Sequence, residues 1–202
     1  MKLQDLFEST RKNVLVIYGG RFQPIHKGHA AVFRYLQANF GDQVYLATSN
    51  IVKLPNSPFT FEEKLELAKF IGIPEDRIIQ TRSPYKPTEI LDLVDPTTTK
   101  LIFAIGAKDS DRFAGAKSIR PFTKLSKCLT MDQTAYSIIV PTVEFELFGQ
   151  TITSASQIRE IYPTLDDFER RAFIVELYGS YSADIQQLLD AKLALSQLFI
   201  NS

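Results

Sequence analysis

A single cysteine, Cys128, stands among the 202 residues. That excludes an intrachain disulfide framework and any multi-cysteine metal site, and it fits a reducing compartment. Net charge is missing too, because 23 Lys and Arg offset 23 Asp and Glu. Without a global field to hold a long polyanion, a role in coating long nucleic acid is disfavoured. No uninterrupted apolar run approaches the ~18–20 residues that cross a membrane. Residues 1–12 are charged throughout and lack the apolar centre of a signal peptide; Leu3, Leu6 and Phe7 suggest a short amphipathic helix instead. A cytoplasmic protein with no membrane partner is expected. Internal repeats and low-complexity tracts are absent, tryptophan does not occur, and histidine occurs twice.

What is present is ordinary for a folded domain: 45% apolar and 23% charged residues, in a chain long enough to bury a core. Apolar runs alternate with stretches of helical spacing. Residues 14–18, 43–48, 77–81, 100–105 and 136–140 are expected to be strands, the first buried on both faces because it shows no alternation. Helices are expected over 29–40, 60–71 and from Pro87 through Leu91 and Val94. The second starts at Thr60-Phe61-Glu62-Glu63, a capping-box pattern. This order implies an α/β fold, a Rossmann-like doubly wound parallel sheet of about five strands, with a C-terminal helical extension. Three segments are expected: 1–12, a domain over 13–162, and helices over 163–202. In the last, Leu165, Phe168, Ala172, Phe173 and Val175 form one stripe. Ile185, Leu188, Leu189, Lys192, Leu195 and Phe199 form a second, for packing within the chain or as a homo-oligomer contact.

Both histidines lie in Gly19-Gly20-Arg21-Phe22-Gln23-Pro24-Ile25-His26-Lys27-Gly28-His29, between the first strand and first helix. Residues three apart near a helix start can bring two imidazoles to one phosphoryl group, and the glycines let a ligand approach the backbone. Ligands of such sheets bind at the carboxyl ends of strands, where Gly19-Gly20 and Gly106 both fall. A late counterpart is Thr153-Ser154-Ala155-Ser156-Gln157-Ile158-Arg159, a helix start with hydroxyls and one arginine, suited to a second anion cradle. Metal chelation by the histidines would need carboxylates to complete it, and no metal site is expected. No P-loop pattern occurs.

Residues 20–29 resemble the signature of the nucleotidylyltransferase superfamily, and within it the archaeal-type nicotinamide-mononucleotide adenylyltransferases. Ser57-Pro58-Phe59-Thr60-Phe61-Glu62-Glu63-Lys64 and residues 153–159 resemble the later segments of the same family, in order, so the resemblance spans about residues 14–162. It implies transfer of AMP from ATP to a small phosphorylated acceptor, NMN being favoured, with release of pyrophosphate. By this resemblance His26, His29, Arg21 and Arg159 are catalytic. Gly19, Gly20, Phe22, Gly28, Ser154 and Ser156 bind nucleotide, and Mg²⁺ arrives on ATP.

The chain departs from the pattern in having Lys64 for arginine and no tryptophan for the nicotinamide, for which Tyr85 or Phe59 would substitute. Residues 105–111 look like the Gly-x-Asp regions of other branches. Acceptor or phosphate contacts are therefore expected among Lys53, Lys64, Tyr85, Gly106, Lys108, Asp109 and Arg112. The runner-up is adenylyl or cytidylyl transfer to phosphopantetheine, FMN or a sugar phosphate; outside catalysis, a nucleotide-binding assembly module. Lys124-Leu125-Ser126-Lys127 resembles an aminoacyl-tRNA synthetase element, but a basic loop is the simpler expectation.

Overall fold

The structure is a computed structural model describing residues 13–113 and 115–194. The expected N-terminal helix and the end of the second apolar stripe, Leu195 and Phe199, lie outside the described residues. The chain divides into two compact units. One holds the described residues to Gly20, Val32–Thr48 and Ile79–Thr142. The other holds Arg21–Ala31, Ser49–Ile78 and the described residues from Val143.

The first unit is built on a sheet of six strands: β1 (Val14–Gly19), β2 (Val44–Thr48), β3 (Ile78–Gln80, in this unit from Ile79), β4 (Lys100–Gly106), β5 (Ile119–Pro121) and β6 (Ala135–Val140). Their order is β3-β2-β1-β4-β6-β5. β1 pairs in parallel with β2 and β4, and β6 in parallel with β4 and β5. Every residue of β1 is buried, as its unbroken apolar run requires. Leu15, Ile17, Leu101, Phe103 and Ala135 form a core with Ile90 and Ala47. From β1 the chain steps outward to β2 and β3, then returns to lay β4 on the other side of β1. The order therefore reverses between β1 and β4, and their carboxyl ends, Gly19 and Gly106, lie at the switch point. The fold is Rossmann-like α/β.

Five of the strands match the sequence expectation within two residues at each end. The sixth, β5, is three residues long and ends in a proline, too short to carry a periodic signal. It is an edge strand, and Arg120 and Pro121 suit an edge that must not pair further.

Helix α1 (Lys27–Phe40) begins two residues earlier than expected, and Val32, Phe33, Leu36 and Phe40 are its buried residues within the first unit. Helix α2 (Phe61–Phe70) has its capping box as the sequence implies: Thr60 Oγ1 accepts from the Glu63 amide, and Glu63 accepts from the Thr60 amide at 2.8 Å. Helix α3 (Thr88–Leu91) is a single turn rather than a helix reaching Val94. Beyond it the chain turns at Asp95, whose Oδ1 accepts from the Thr97 amide and hydroxyl.

The second unit contains α2, a hairpin of β7 (Phe145–Leu147) and β8 (Gln150–Ile152), and helices α4 (Ala155–Ile161), α5 (Asp167–Tyr178) and α6 (Ala183–Leu189). The sequence pattern does not announce the hairpin. Its two-residue loop puts Phe148 at φ 49° and Gly149 at φ 69°, the twist that joins adjacent antiparallel strands tightly. Asp166 and Glu169 form a second capping box on α5, and Gly179, at φ 91°, ends that helix in the left-handed region.

The first apolar stripe is corrected by the structure. Phe168 is 80% exposed and Val175 is exposed, whereas Phe173, Ile174, Leu177 and Tyr178 form the buried face. Of the second stripe, Ile185 and Leu189 are buried, joined by Leu193. Tyr162 is fully buried beside Phe173 and donates to Asp190, which also pairs with Arg170 at 3.1 Å. The described part of the C-terminal extension thus packs within its own unit.

Candidate active site

The turn that follows β1 is held by two imidazoles that cap the helix they begin. His26 is the N-cap of α1, its carbonyl accepting from the His29 and Ala30 amides. His26 Nδ1 accepts from the Gly28 amide at 3.1 Å, and His29 Nδ1 accepts in return from the His26 amide at 3.3 Å. The pattern is a capping box with ring nitrogens in place of oxygens.

A nitrogen that accepts carries no proton, so each ring is the neutral tautomer protonated at Nε2. Electrostatics agree. Burial pushes His29 down to about 3 and His26 well below the ordinary value, the latter aided by His29 and Lys27. The ring centroids are 3.8 Å apart, a separation that two cations would oppose.

His26 is 4% exposed, and its Nε2 is buried without a hydrogen-bond partner among the described residues. An unpaired buried donor costs about 1–3 kcal/mol, and such cost persists where a ligand offsets it. Gly28 has an internal reason to be glycine: a Cβ there would lie 3.0 Å from His26 Cε1 and 3.1 Å from Nδ1. The sequence expectation assigns that space to a ligand; the structure assigns it to the folded-back imidazole.

Phe22 meets the His29 ring edge-on at 4.9 Å, and its φ of 50° is uncommon for a side-chain-bearing residue. Gln23 is buried and joins three segments. Its amide donates to the Phe59 carbonyl and accepts from the Phe59 amide, and its own carbonyl accepts from Arg159 Nη1. Arg159 Nη2 also donates to Ser156 Oγ at 3.2 Å. Burial and the nearby Arg21 lower the Arg159 guanidinium from its ordinary value, while Glu160 opposes them. Two cations close enough to disfavour one another mark a place where an anion is stabilising. Arg21, Phe22, His26, Gly28, His29, Ser154, Ser156 and Arg159 thus belong to one unit.

Some sequence expectations acquire different local roles. The Ser154 hydroxyl does not cap α4; Gln157 reaches back instead, its Oε1 accepting from the Thr153 amide and the Ser154 hydroxyl. Lys64 is 1% exposed with Nζ donating to the Ser49 carbonyl at 2.6 Å, and burial pushes its ammonium down to about 8. Its side chain is a buried tie within its own unit rather than an exposed cation. Lys53 is exposed, its backbone paired with Ser57.

The remaining expected residues belong to the first unit. A Cβ on Gly19 would lie 2.6 Å from the Pro84 carbonyl oxygen, so the loop after β3 closes on the end of β1. Gly20 donates its amide to the Ala47 carbonyl. Burial raises the Tyr18 phenol, as do Tyr85 and Asp109 nearby. Tyr85 packs edge-on against Phe113 at 6.2 Å. Gly106 ends β4 with open space where a Cβ would stand, and the 3₁₀ segment Ala107–Phe113 carries exposed Lys108, half-buried Asp109 and, in its backbone, Arg112.

Sequence reasoning does not select Tyr18, Gln23, Phe145 or Gln157. Gln23 stands inside the histidine motif, but its partners are 36 and 136 positions away, beyond any local pattern. Among the described residues no group of three or more His, Cys, Asp or Glu side chains is placed to hold a metal ion.

No helix among the described residues is long and apolar enough to cross a membrane. No curated protein matches the chain. A family model described as cytidylyltransferase-like matches residues 17–161, the span from within β1 through the end of α4. The match covers well over half of the chain and includes both histidines and Arg159, so the protein belongs to the cytidylyltransferase-like family, within the nucleotidyltransferase superfamily.

Proposed function

We propose that the protein transfers AMP from ATP to a small phosphorylated acceptor, NMN being favoured, and releases pyrophosphate. Family membership supports nucleotidylyl transfer in general. The observation that carries the chemistry is the buried, unpartnered Nε2–H of His26, in one unit with His29, Arg21 and Arg159.

An acceptor phosphate oxygen attacks the α-phosphorus in line. One P–O bond forms, the bond to the bridging oxygen breaks, and the electron pair leaves on pyrophosphate. The protein needs neither a nucleophile nor a proton transfer; its part is positioning and charge stabilisation. Neutral imidazoles suit this part, because each presents a fixed N–H donor that does not titrate near neutral pH. His26 and His29 donate to phosphoryl oxygens, and Arg21 and Arg159 neutralise the polyphosphate. The nucleotide enters as its Mg²⁺ complex, the ion being part of the substrate. The lone, buried cysteine is consistent with a cytoplasmic setting.

The family description favours a second reading, CMP transfer from CTP to an acceptor such as a sugar phosphate or phosphopantetheine. Both are tested by following pyrophosphate release with ATP or CTP against NMN, FMN, phosphopantetheine and sugar phosphates. NAD from ATP plus NMN is the expected product; turnover with CTP and not ATP would establish the second reading. Release with no pair, together with tight nucleotide binding, would establish a non-catalytic module.

A further inference from the structure

The family match ends at Ile161, yet the histidine turn is tied to residues beyond that limit. The Tyr178 hydroxyl, in the last turn of α5, donates to the Ile25 carbonyl at 3.0 Å. Two residues earlier, the Glu176 carbonyl accepts from Lys27 Nζ at 2.8 Å. The residues immediately before and after His26 are thus both held by the carboxyl end of α5. Lys27 Nζ also lies 4.4 Å from the centroid of the Phe145 ring, and that ring packs against His26 at 5.5 Å. The end of a helix suits the Lys27 contact, because its last carbonyls have no partner within the helix and attract a cation.

We infer that Tyr178 and Lys27 are positioning residues, which set the place and tautomer of the His26 ring through the main chain on either side of it. This rests on the proposed role of His26 as a phosphoryl contact. It makes α5 part of the catalytic machinery of this chain rather than an appendage to it. Burial raises the Tyr178 phenol above its ordinary value, which favours the protonated, donating form. The Ile25 carbonyl is then satisfied and the turn fixed in one arrangement, on which the Nδ1 acceptor role of His26 depends.

The test uses the full chain with Tyr178→Phe and Lys27→Met, and Phe168→Ser on the exposed side of α5 as control. Two readouts are needed: steady-state kinetics, and ¹⁵N signals of the His26 ring without substrate. In both variants kcat is expected to fall about tenfold to hundredfold with nucleotide KM changed less, as when a reacting group is misplaced by an ångström or less. The His26 signals are expected to move from the Nε2–H tautomer toward an exchanging average, and Phe168→Ser to leave both readouts unchanged. A variant that lowers the melting temperature but leaves kcat and the His26 signals at wild-type values would overturn the inference. If Tyr178→Phe does not fold, Lys27→Met decides, since its ammonium is reached from the surface. Absence of turnover in the wild-type chain would count against the proposed function, while the His26 signals would still report on positioning.

Discussion

Gln23 and Phe59 exchange two hydrogen bonds, the Gln23 amide nitrogen donating to the Phe59 carbonyl at 2.9 Å and its oxygen accepting from the Phe59 amide at 2.8 Å. A side chain here does what a neighbouring strand would do, satisfying both buried main-chain groups of one residue. Gln23→Glu keeps the acceptor but sets a carboxylate against the Phe59 carbonyl. Each unpaired buried group costs about 1–3 kcal/mol, so urea denaturation is expected to show a loss in that range. Gln23→Ala, which leaves both groups unpaired, is expected to lose more.

Three glycines are expected to separate by what surrounds them. Gly19→Ala places a methyl 2.6 Å from the Pro84 carbonyl oxygen, and Gly28→Ala places one 3.0 Å from the His26 ring. The first should lower the melting temperature. The second should be nearly neutral for stability, because alanine favours a helix over glycine by about 1 kcal/mol, while displacing the ring and lowering kcat. Gly106→Ala meets no atom within 4 Å and should leave stability intact, so that any rise in acceptor KM reports ligand contact at that strand end.

The imidazoles give the protein an acid-sensitive term. In the unfolded chain each titrates near 6.5, but in the folded protein both are held well below that value. As pH falls below about 6.5 the unfolded chain takes up protons that the folded protein excludes, which favours unfolding by up to about 1.4 kcal/mol per pH unit for each ring. Above about pH 7.5 neither state binds them and the term is flat. The expected result is a denaturant midpoint that declines from about pH 6.5 to about pH 5, with a shallower decline in a His26→Asn, His29→Gln double variant. Equal slopes would show that the rings titrate normally in the fold.

His26→Asn separates capping from catalysis. Asparagine can accept from the Gly28 amide as an N-cap, so the fold should persist, but the Nε2–H donor is gone. We expect kcat to fall about 10²-fold or more, as for other preorganised donors to a transition state, and the same for His29→Ala. Near-normal kcat in either variant would remove that ring from the charge-stabilising role.

The five principal strands and the Thr60 capping box are legible locally, because strand burial and helix capping depend on residues within four positions of one another. The hairpin Phe145–Ile152 is not, since three-residue strands are too short for a period to appear. Phe168 and Val175 mislead about the face of α5 because a short amphipathic stretch admits two phases, and only tertiary packing, such as that of Phe173 against Tyr162, fixes which one is buried. At the histidine turn the local sequence supplies the residue types. It does not supply their protonation, which follows from the reciprocal Nδ1 bonds and from burial.

The sequence by itself determined the α/β order of elements, the switch-point glycines and the placing of both histidines at a helix start, because each of these rests on spacing along the chain. The tertiary structure alone decided that Arg159 closes on Gln23, that Lys64 is an internal tie, and that α5 holds the main chain on both sides of His26. Those contacts join residues from 15 to 153 positions apart. Nothing in local sequence encodes them, since they exist only once hydrophobic burial has brought distant segments together and the polar groups left inside have had to find partners.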